Sequence, residues 1–336
     1  MKLHRTSKSR HYRIFINYFL GPLLFGWLSW SIYRQIQQQP GLEAAWQGIR
    51  ASLSGPMLWN LVAVIVLMWV NWGLEAIKWK ISVKPVQDIS FGKALQAILS
   101  GVSFSVSTPN RIGEYLGRVL YMEEGKRLKT ISITIVGSMS QLLITLLAGM
   151  IGLLCLQKEI VSHQLIGQMW MNVILYGVMI VFATVCLFYF RLSWLIRWVG
   201  RIPGTKKFGY LVEAIAECSP RLLSKLLLIS LLRFLVFIIQ YWLLFALFDV
   251  HLQGWQVLWT ISLAFLVMAV IPTIAIAELA QRGKVVIALA GLYSSNELGM
   301  TFATAGIWFI NLIIPAIIGS LLILRMRKIV SEKTRL

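Results

Sequence analysis

The sequence has 336 residues, of which 58% are hydrophobic and only 13% are charged, a composition too apolar for an ordinary soluble domain. Its formal net charge of +19 would suit a nucleic-acid-binding protein. The cations, however, lie mostly in short segments beside long apolar runs, and no nucleic-acid-binding motif is present, which excludes nucleic acid as a partner. Three cysteines and four scattered histidines show neither a disulfide framework nor metal-ligand spacing, so no metal or cofactor is expected.

Six apolar runs approach the roughly 20 residues that a helix needs to cross about 30 Å of hydrocarbon. They are residues 14–33, 57–77, 131–156, 169–190, 226–248 and 300–324. The first run follows a basic tail, 1–13, and is longer and bulkier than the core of a signal peptide, so we expect it to be retained as a span. The sequence thus predicts an all-α, polytopic helical membrane protein.

The predicted transmembrane domain covers 14–325 as one unit, with halves at about 57–190 and 226–324. Lys and Arg are enriched in cytoplasmic loops. They crowd the tails 1–13 and 326–336, whereas the loop 34–56 holds only two, so both termini are expected on the cytoplasmic side of a bacterial inner membrane.

The most basic loop, 191–225, is also expected to be cytoplasmic. Its charge would suit docking of anionic lipid or of an enzyme partner. A homo-oligomer stays open as well.

Two further apolar stretches, 91–122 and 254–293, are each interrupted by a proline and an ionisable cluster. Loop charge places both ends of the first stretch inside and both ends of the second outside. We therefore expect two re-entrant broken hairpins of opposite orientation, as in an inverted repeat, which places substrate sites near the midplane. Two full spans in each stretch would keep the termini inside, but those helices would be short.

The first break, residues 107–118, reads STPNRIGEYLGR. Pro109 removes a backbone donor, and Asn110 tolerates the left-handed conformation that a sharp break requires. A helix restarting near Ile112 would point its N-terminal amides into the break, an arrangement that suits a phosphate. Glu114 and Arg118 are four residues apart and would share one face of that helix.

The second break, residues 271–283, reads IPTIAIAELAQRG and repeats the four-residue spacing with Glu278 and Arg282 after Pro272. Each Glu–Arg pair is either an internal salt bridge or part of a substrate path, since charges at membrane depth are expected to pair in both cases. Arg233, inside the run 226–248, either snorkels to the cytoplasm or faces a cavity. Glu75 with Lys78 and Trp79 is interpreted as a local ion pair and an interfacial anchor without function.

The candidate substrate-binding residues are therefore Pro109, Asn110, Arg111, Gly113, Glu114, Arg118, Arg233, Pro272, Glu278 and Arg282. Arg111, Arg118 and Arg282 would hold a phosphate. Glu114 and Glu278 would either hold an amine or balance the arginines. No residue is assigned a catalytic or metal-binding role.

The stretch 108–114, TPNRIGE, resembles the first motif, Thr-Pro-Gly-Arg-x-Gly-Glu, of the lysylphosphatidylglycerol synthase transmembrane-region family. Lys78-Trp79 and the pattern Ser230 to Arg233 also resemble family features, and the resemblance spans roughly 14–325. Asn110 replaces a glycine of the first motif, and 273–277 lack the glycines usual in the second.

This resemblance implies lipid translocation, as in the membrane half of aminoacyl-phosphatidylglycerol proteins. Those proteins carry a soluble transferase domain after the membrane part, which 336 residues leave no room for, so aminoacyl transfer is not expected.

The leading hypothesis is a lipid flippase or lipid-binding transporter that moves a phospholipid or lipid-linked head group between leaflets. No nucleotide-binding loop is present, so transport would be passive, gradient-driven or coupled to a partner. The alternatives are a membrane-embedded transferase on a lipid-linked substrate, with Glu114 as general base, and a noncatalytic scaffold subunit. The sequence does not decide which lipid would be bound.

Overall fold

The computed structural model describes residue 47 and residues 57–106, 108, 111–191, 218–271 and 275–333. The predicted tail 1–13, the predicted span 14–33 and residues 192–217 of the basic loop lie outside these described residues. Apart from Gln47, the described residues belong to one compact unit, 48–336. Its regular structure is helical, and no strand occurs among the described residues.

The elements in chain order are α1 (Leu58–Val83), α2 (Phe91–Ser105), α3 (Gly113–Val119), a 3-10 turn (Glu124–Lys126), α4 (Arg127–Ser162), α5 (Gln168–Phe190), α6 (Pro220–Leu247), α7 (Gly254–Val270), α8 (Ala275–Ala290), α9 (Glu297–Trp308), a π-helical turn (Phe309–Ile313) and α10 (Ile314–Lys333).

Five helical segments of the described residues are long and apolar enough to cross a membrane. They are 58–83, 124–162, 168–190, 220–247 and 297–324, the last formed by α9, the π-helical turn and the first part of α10. Five of the six predicted spans are confirmed, and the sixth lies outside the described residues. The protein is a polytopic helical membrane protein.

Local sequence signals explain where several helices begin and end. α1 ends at Val83, two residues before Pro85, which has no backbone N–H to continue the helical hydrogen bonds. The Ser90 hydroxyl caps α2 by accepting from Lys93 N at 3.3 Å. At α6, Ser219 accepts from Leu222 N at 3.2 Å, and Pro220 occupies the first helical position, where no backbone donor is needed.

Both interrupted stretches are broken pairs of short helices, as predicted. The first pair is α2 with α3, and the second is α7 with α8, and within each pair the two helices pack against each other. α2 has 15 residues, which at 1.5 Å per residue is about 22 Å and less than the hydrocarbon thickness. α3 is shorter still, with seven residues.

The first pair is held together by direct backbone contact. A Cβ added to Gly117 would collide with the backbone of Gly101, and one added to Gly101 would lie 2.7 Å from the carbonyl oxygen of Glu114. Gly319 of α10 lies equally close to the Leu99 carbonyl on the other side of α2. Because no side chain fits between these segments, the seven-residue α3 is positioned accurately against the centre of the protein.

The core lies where α1, α4 and α6 pack together. α1 runs along α6, and α4 contacts both of them and α7. α5 is peripheral, since its only buried residues are Met171 and Tyr189 and most of its other apolar residues are exposed or partly exposed, as expected for a lipid-facing helix. The centre of the α1–α4–α6 group receives polar side chains from α3, which positions the candidate site.

Candidate functional site

The first break is closed by Thr108. Its hydroxyl accepts a hydrogen bond from Gly113 N at 2.8 Å and lies 3.3 Å from the Phe104 carbonyl, to which it donates. Arg111 has a φ of 57°, a left-handed conformation that is rare for residues other than glycine. Such backbone strain is often found at functional sites. The threonine ties the end of α2 to the start of α3, so the backbone of the break is anchored at both sides.

A buried carboxylate, Glu75 of α1, forms the centre of a first charged cluster. Its oxygens lie 2.8 Å from Lys78 Nζ and 3.0 Å from Arg118 Nη2, and it also pairs with Arg233 Nη1 of α6. The side chains of Glu75, Lys78, Arg118 and Arg233 are all 10% exposed or less. One carboxylate therefore joins three cations contributed by three separate helices.

Neutral groups complete the surroundings of Arg233. Its Nε donates to Asn71 Oδ1 at 2.9 Å, and its Nη1 lies 3.4 Å from Gln141 Oε1 of α4. The guanidinium carbon lies 5.8 Å from the ring centroid of Trp72, within the range of a cation–π contact. These contacts orient the guanidinium, so the cluster has one defined geometry.

Arg118 links the cluster to the first break. Its Nη2 donates to Glu114 Oε2 at 3.0 Å as well as to Glu75 Oε1 at 3.0 Å. Glu114 is more open than Glu75, with 22% of its side chain exposed against 6%. The charged network therefore extends from the buried centre towards an accessible edge.

A second charged cluster joins the two breaks. Arg111 Nη2, from the first break, lies 3.0 Å and 3.2 Å from the two carboxylate oxygens of Glu278 on α8. Glu278 also pairs with Arg282 one turn later on the same helix. The Arg111 side chain is 43% exposed, whereas those of Glu278 and Arg282 are 9% and 12% exposed. The two broken helix pairs therefore meet at a cation–carboxylate–cation group.

The two clusters are electrostatically connected. Arg233 is close enough to Glu114 and to Arg111 for Coulomb interaction with both. The break between α2 and α3 contributes to both clusters, Arg111 to the second and Glu114 to the first. The charged side chains therefore form a single site with a buried centre and a more exposed edge at Arg111 and Glu114, which we call the hairpin site. It comprises Glu75, Lys78, Arg111, Glu114, Arg118, Arg233, Glu278 and Arg282.

Comparison with known proteins bears on this site. The family model for the lysylphosphatidylglycerol synthase transmembrane region matches residues 18–323 of the chain. The chain belongs to the lysylphosphatidylglycerol synthase transmembrane-region family. A search of curated proteins gives no significant match.

The residues that carried the resemblance to this family meet at the hairpin site. Arg111 and Glu114 come from the first motif, Lys78 pairs with Glu75, and Arg233 pairs with the same carboxylate. Trp79 and Ser230 hold the neighbouring helices, through hydrogen bonds to Thr134 Oγ1 at 3.1 Å and between the hydroxyls of Ser230 and Ser140 at 2.8 Å. In this family member, positions far apart in sequence therefore support one structure.

Several predictions about individual residues are decided by the structure. The pairs Glu114–Arg118 and Glu278–Arg282 both form. Arg233 faces the protein interior and does not snorkel. The prediction that Glu75 and Lys78 form only a local pair at the interface is wrong. They do pair, but both are buried and Glu75 also binds cations of α3 and α6, because burial inside the protein leaves the carboxylate no water to bind.

Other candidates have different positions. Gly113 lies against the Phe104 backbone, which a Cβ would strike, and its amide is bonded to Thr108, so it is a packing residue of the break. This also removes the Gly113 amide from the predicted helix-terminal phosphate site. Pro109, Asn110 and Pro272 lie outside the described residues. Within the described part of the chain, no group of three or more His, Cys, Asp or Glu side chains could hold a metal ion.

Proposed function

We propose that this protein binds the head group of a membrane lipid at the hairpin site and moves the lipid between leaflets. The observation that carries the proposal is the meeting of the two broken helix pairs at Arg111 and Glu278. Charged side chains at membrane depth are costly and mark substrate pathways. Membership in a family of lipid-related membrane regions supports a lipid as the ligand.

The proposal includes a membrane arrangement. The protein lies in a bacterial cytoplasmic membrane with both termini inside, and the two broken pairs are re-entrant hairpins that enter from opposite faces. Support comes from the basic loops beside the spans and from the shortness of α2, α3, α7 and α8. The Arg111–Glu278 contact is then a closed gate between the two hairpins, which opens when a head group replaces the carboxylate.

Cysteine labelling tests this arrangement. In a background with Cys155, Cys186 and Cys218 replaced by Ser, we expect His163→Cys to react with a membrane-impermeant maleimide in intact spheroplasts. Glu124→Cys is expected to react only after permeabilisation. The two positions lie at opposite ends of α4, whose 36 residues extend about 54 Å and therefore cross the membrane, and both are exposed. The reverse labelling pattern would contradict the proposed orientation.

Leaflet exchange tests the transport function. In vesicles containing lipid with a reducible fluorophore, the protein is expected to accelerate quenching of inner-leaflet lipid by an impermeant reductant. Glu114→Gln and Arg111→Gln change the two most accessible carboxylate and guanidinium groups of the hairpin site. Each is expected to slow exchange by about tenfold or more, because a charge-assisted hydrogen bond contributes ~1.5–3 kcal/mol. Arg111→Gln removes such a donor, and Glu114→Gln takes from Arg118 one of the two carboxylates that orient it.

The matched control is Lys126→Gln. It removes a cation from the exposed Lys126–Glu123 pair, outside the hairpin site, and is expected to leave exchange unchanged. Equal exchange by wild type, Glu114→Gln and Arg111→Gln in correctly folded protein would overturn the proposed function.

A further inference from the structure

The charges of the hairpin site do not cancel. Five cations, Lys78, Arg111, Arg118, Arg233 and Arg282, face only three carboxylates, Glu75, Glu114 and Glu278. The described part of the site therefore carries a net charge of +2. Uncompensated charge in a low-dielectric interior is expensive, so a site of this kind favours a ligand of opposite charge.

Three buried donors around the first charged cluster have no hydrogen-bond partner among the described residues. In Arg118 the Nε has no partner, and the same holds for Asn71 Nδ2 and Trp72 Nε1, among the described residues. These three residues are 5% exposed or less. Buried N–H groups are normally satisfied, so three unpaired donors around the first charged cluster indicate a missing acceptor.

Each carboxylate of the hairpin site already pairs with at least one cationic side chain of the protein. Glu75 has three cationic partners, Glu278 has two, and Glu114 binds Arg118. An ammonium group on the ligand would have to displace a guanidinium that is held by a charge-assisted bond. The alternative that the carboxylates hold an amine is therefore disfavoured, and their geometry is that of counter-ions to the arginines.

We infer that the hairpin site selects an anionic phosphodiester head group, such as that of phosphatidylglycerol, over a head group that carries an ammonium. This inference rests on the proposed function and specifies its substrate class. A phosphodiester offers only acceptor oxygens, which match the unpaired donors, and its negative charge reduces the excess of cations. The acyl chains would remain in the surrounding lipid.

Competition binding tests the selectivity. Purified protein in neutral detergent is incubated with fluorescent phosphatidylglycerol, and unlabelled phosphatidylglycerol, phosphatidylethanolamine or glycerol 3-phosphate is added. Phosphatidylglycerol is expected to compete about tenfold or more better than phosphatidylethanolamine, because one added cation meets a cationic site. Equal competition by the two lipids would overturn the inference. Equal competition by glycerol 3-phosphate would assign the phosphate chemistry to a soluble ester and overturn the lipid as its source.

Asn71→Asp is the most selective variant. It keeps the oxygen that accepts from Arg233 Nε, converts the unpaired Nδ2 donor into an acceptor, and lowers the net charge of the site from +2 to +1. We expect it to lose most of the preference for phosphatidylglycerol. The control is Asn172→Asp, the same change on the exposed face of α5, where Asn172 Oδ1 accepts from Gln168 at 3.0 Å, and it is expected to bind as wild type does.

Trp72→Phe gives a second test that adds no charge. It removes the unpaired indole N–H and keeps an aromatic ring beside Arg233. Weaker binding of phosphatidylglycerol by this variant, with unchanged thermal unfolding, is expected. Wild-type affinity and selectivity in both Trp72→Phe and a folded Asn71→Asp would contradict the inference.

The experiments distinguish a failure of the proposed transport function from a failure of the proposed anion selectivity. Exchange of phosphatidylglycerol and phosphatidylethanolamine at equal rates, with equal binding, would leave the transport function standing and remove the anion selectivity. Selective binding of phosphatidylglycerol without any leaflet exchange would leave the selectivity standing and remove the transport function.

Discussion

Glu75→Gln is expected to lower the free energy of unfolding by about 3–5 kcal/mol, the range found when one partner of a buried ion pair is removed. The amide would leave Lys78, Arg118 and Arg233 with Glu114 as the only carboxylate of their cluster. Their side chains are almost completely buried, so water cannot compensate the loss. Reversible unfolding in mixed micelles, followed as the fraction of denaturing detergent is raised, gives the change in the free energy of unfolding.

The matched control for this prediction is Glu123→Gln. Glu123 also pairs with a lysine three residues later, at 2.7 Å, but its side chain is 63% exposed, and here the free energy of unfolding is expected to stay the same. The two pairs share spacing and residue types. The difference between the two changes in the free energy of unfolding therefore reports the effect of burial and of the additional cations around Glu75. A Glu75→Gln protein as stable as wild type would show that the cluster does not hold α1, α3 and α6 together.

Glu278→Gln is expected to be the next most damaging change, with a loss of about 3 kcal/mol in the free energy of unfolding. Among the described residues, it removes the only carboxylate that pairs with Arg282, whose side chain is 12% exposed, and it releases Arg111 as well. Arg111→Gln is expected to cost less than about 1 kcal/mol, because its side chain is 43% exposed and water screens the pair.

These two variants separate stability from transport. Arg111→Gln should remain folded but exchange lipid slowly, whereas Glu278→Gln should be impaired in both. A double-mutant cycle on Arg111 and Glu278 gives the coupling energy of the contact between the hairpins. A loss of stability for Arg111→Gln as large as that for Glu278→Gln would show that the contact is a structural lock and not an opening gate.

The sequence predicted the helices and the breaks because both depend on local properties. Apolar runs of sufficient length became α1, α4, α5, α6 and the last span, and helix-breaking proline motifs divided two further stretches. The pairs Glu114–Arg118 and Glu278–Arg282 were predicted from four-residue spacing, which places side chains on one helix face. The left-handed backbone expected at Asn110 lies outside the described residues, and the structure shows left-handed backbone at the next residue, Arg111.

The role of Glu75 was missed, although a signal was present. A carboxylate in an apolar run, with Asn71 four residues before it and Lys78 three residues after it, is costly enough to predict further partners. Those partners, Arg118 and Arg233, are 43 and 158 residues away. Local spacing shows only the lysine, so the carboxylate looked satisfied.

The sequence alone therefore determined the class of protein, the positions of most spans and the two breaks with their charged residues, because hydrophobic length and backbone chemistry act along the chain. Only the tertiary structure decided that the charges form one site. It did so because α3 contacts α2 through glycines and thereby brings Arg118 to Glu75, while Arg111 reaches Glu278 across the two breaks. The excess of cations and unpaired donors appears only after these partners are counted together, since charge balance is a property of the packed site and not of any single segment.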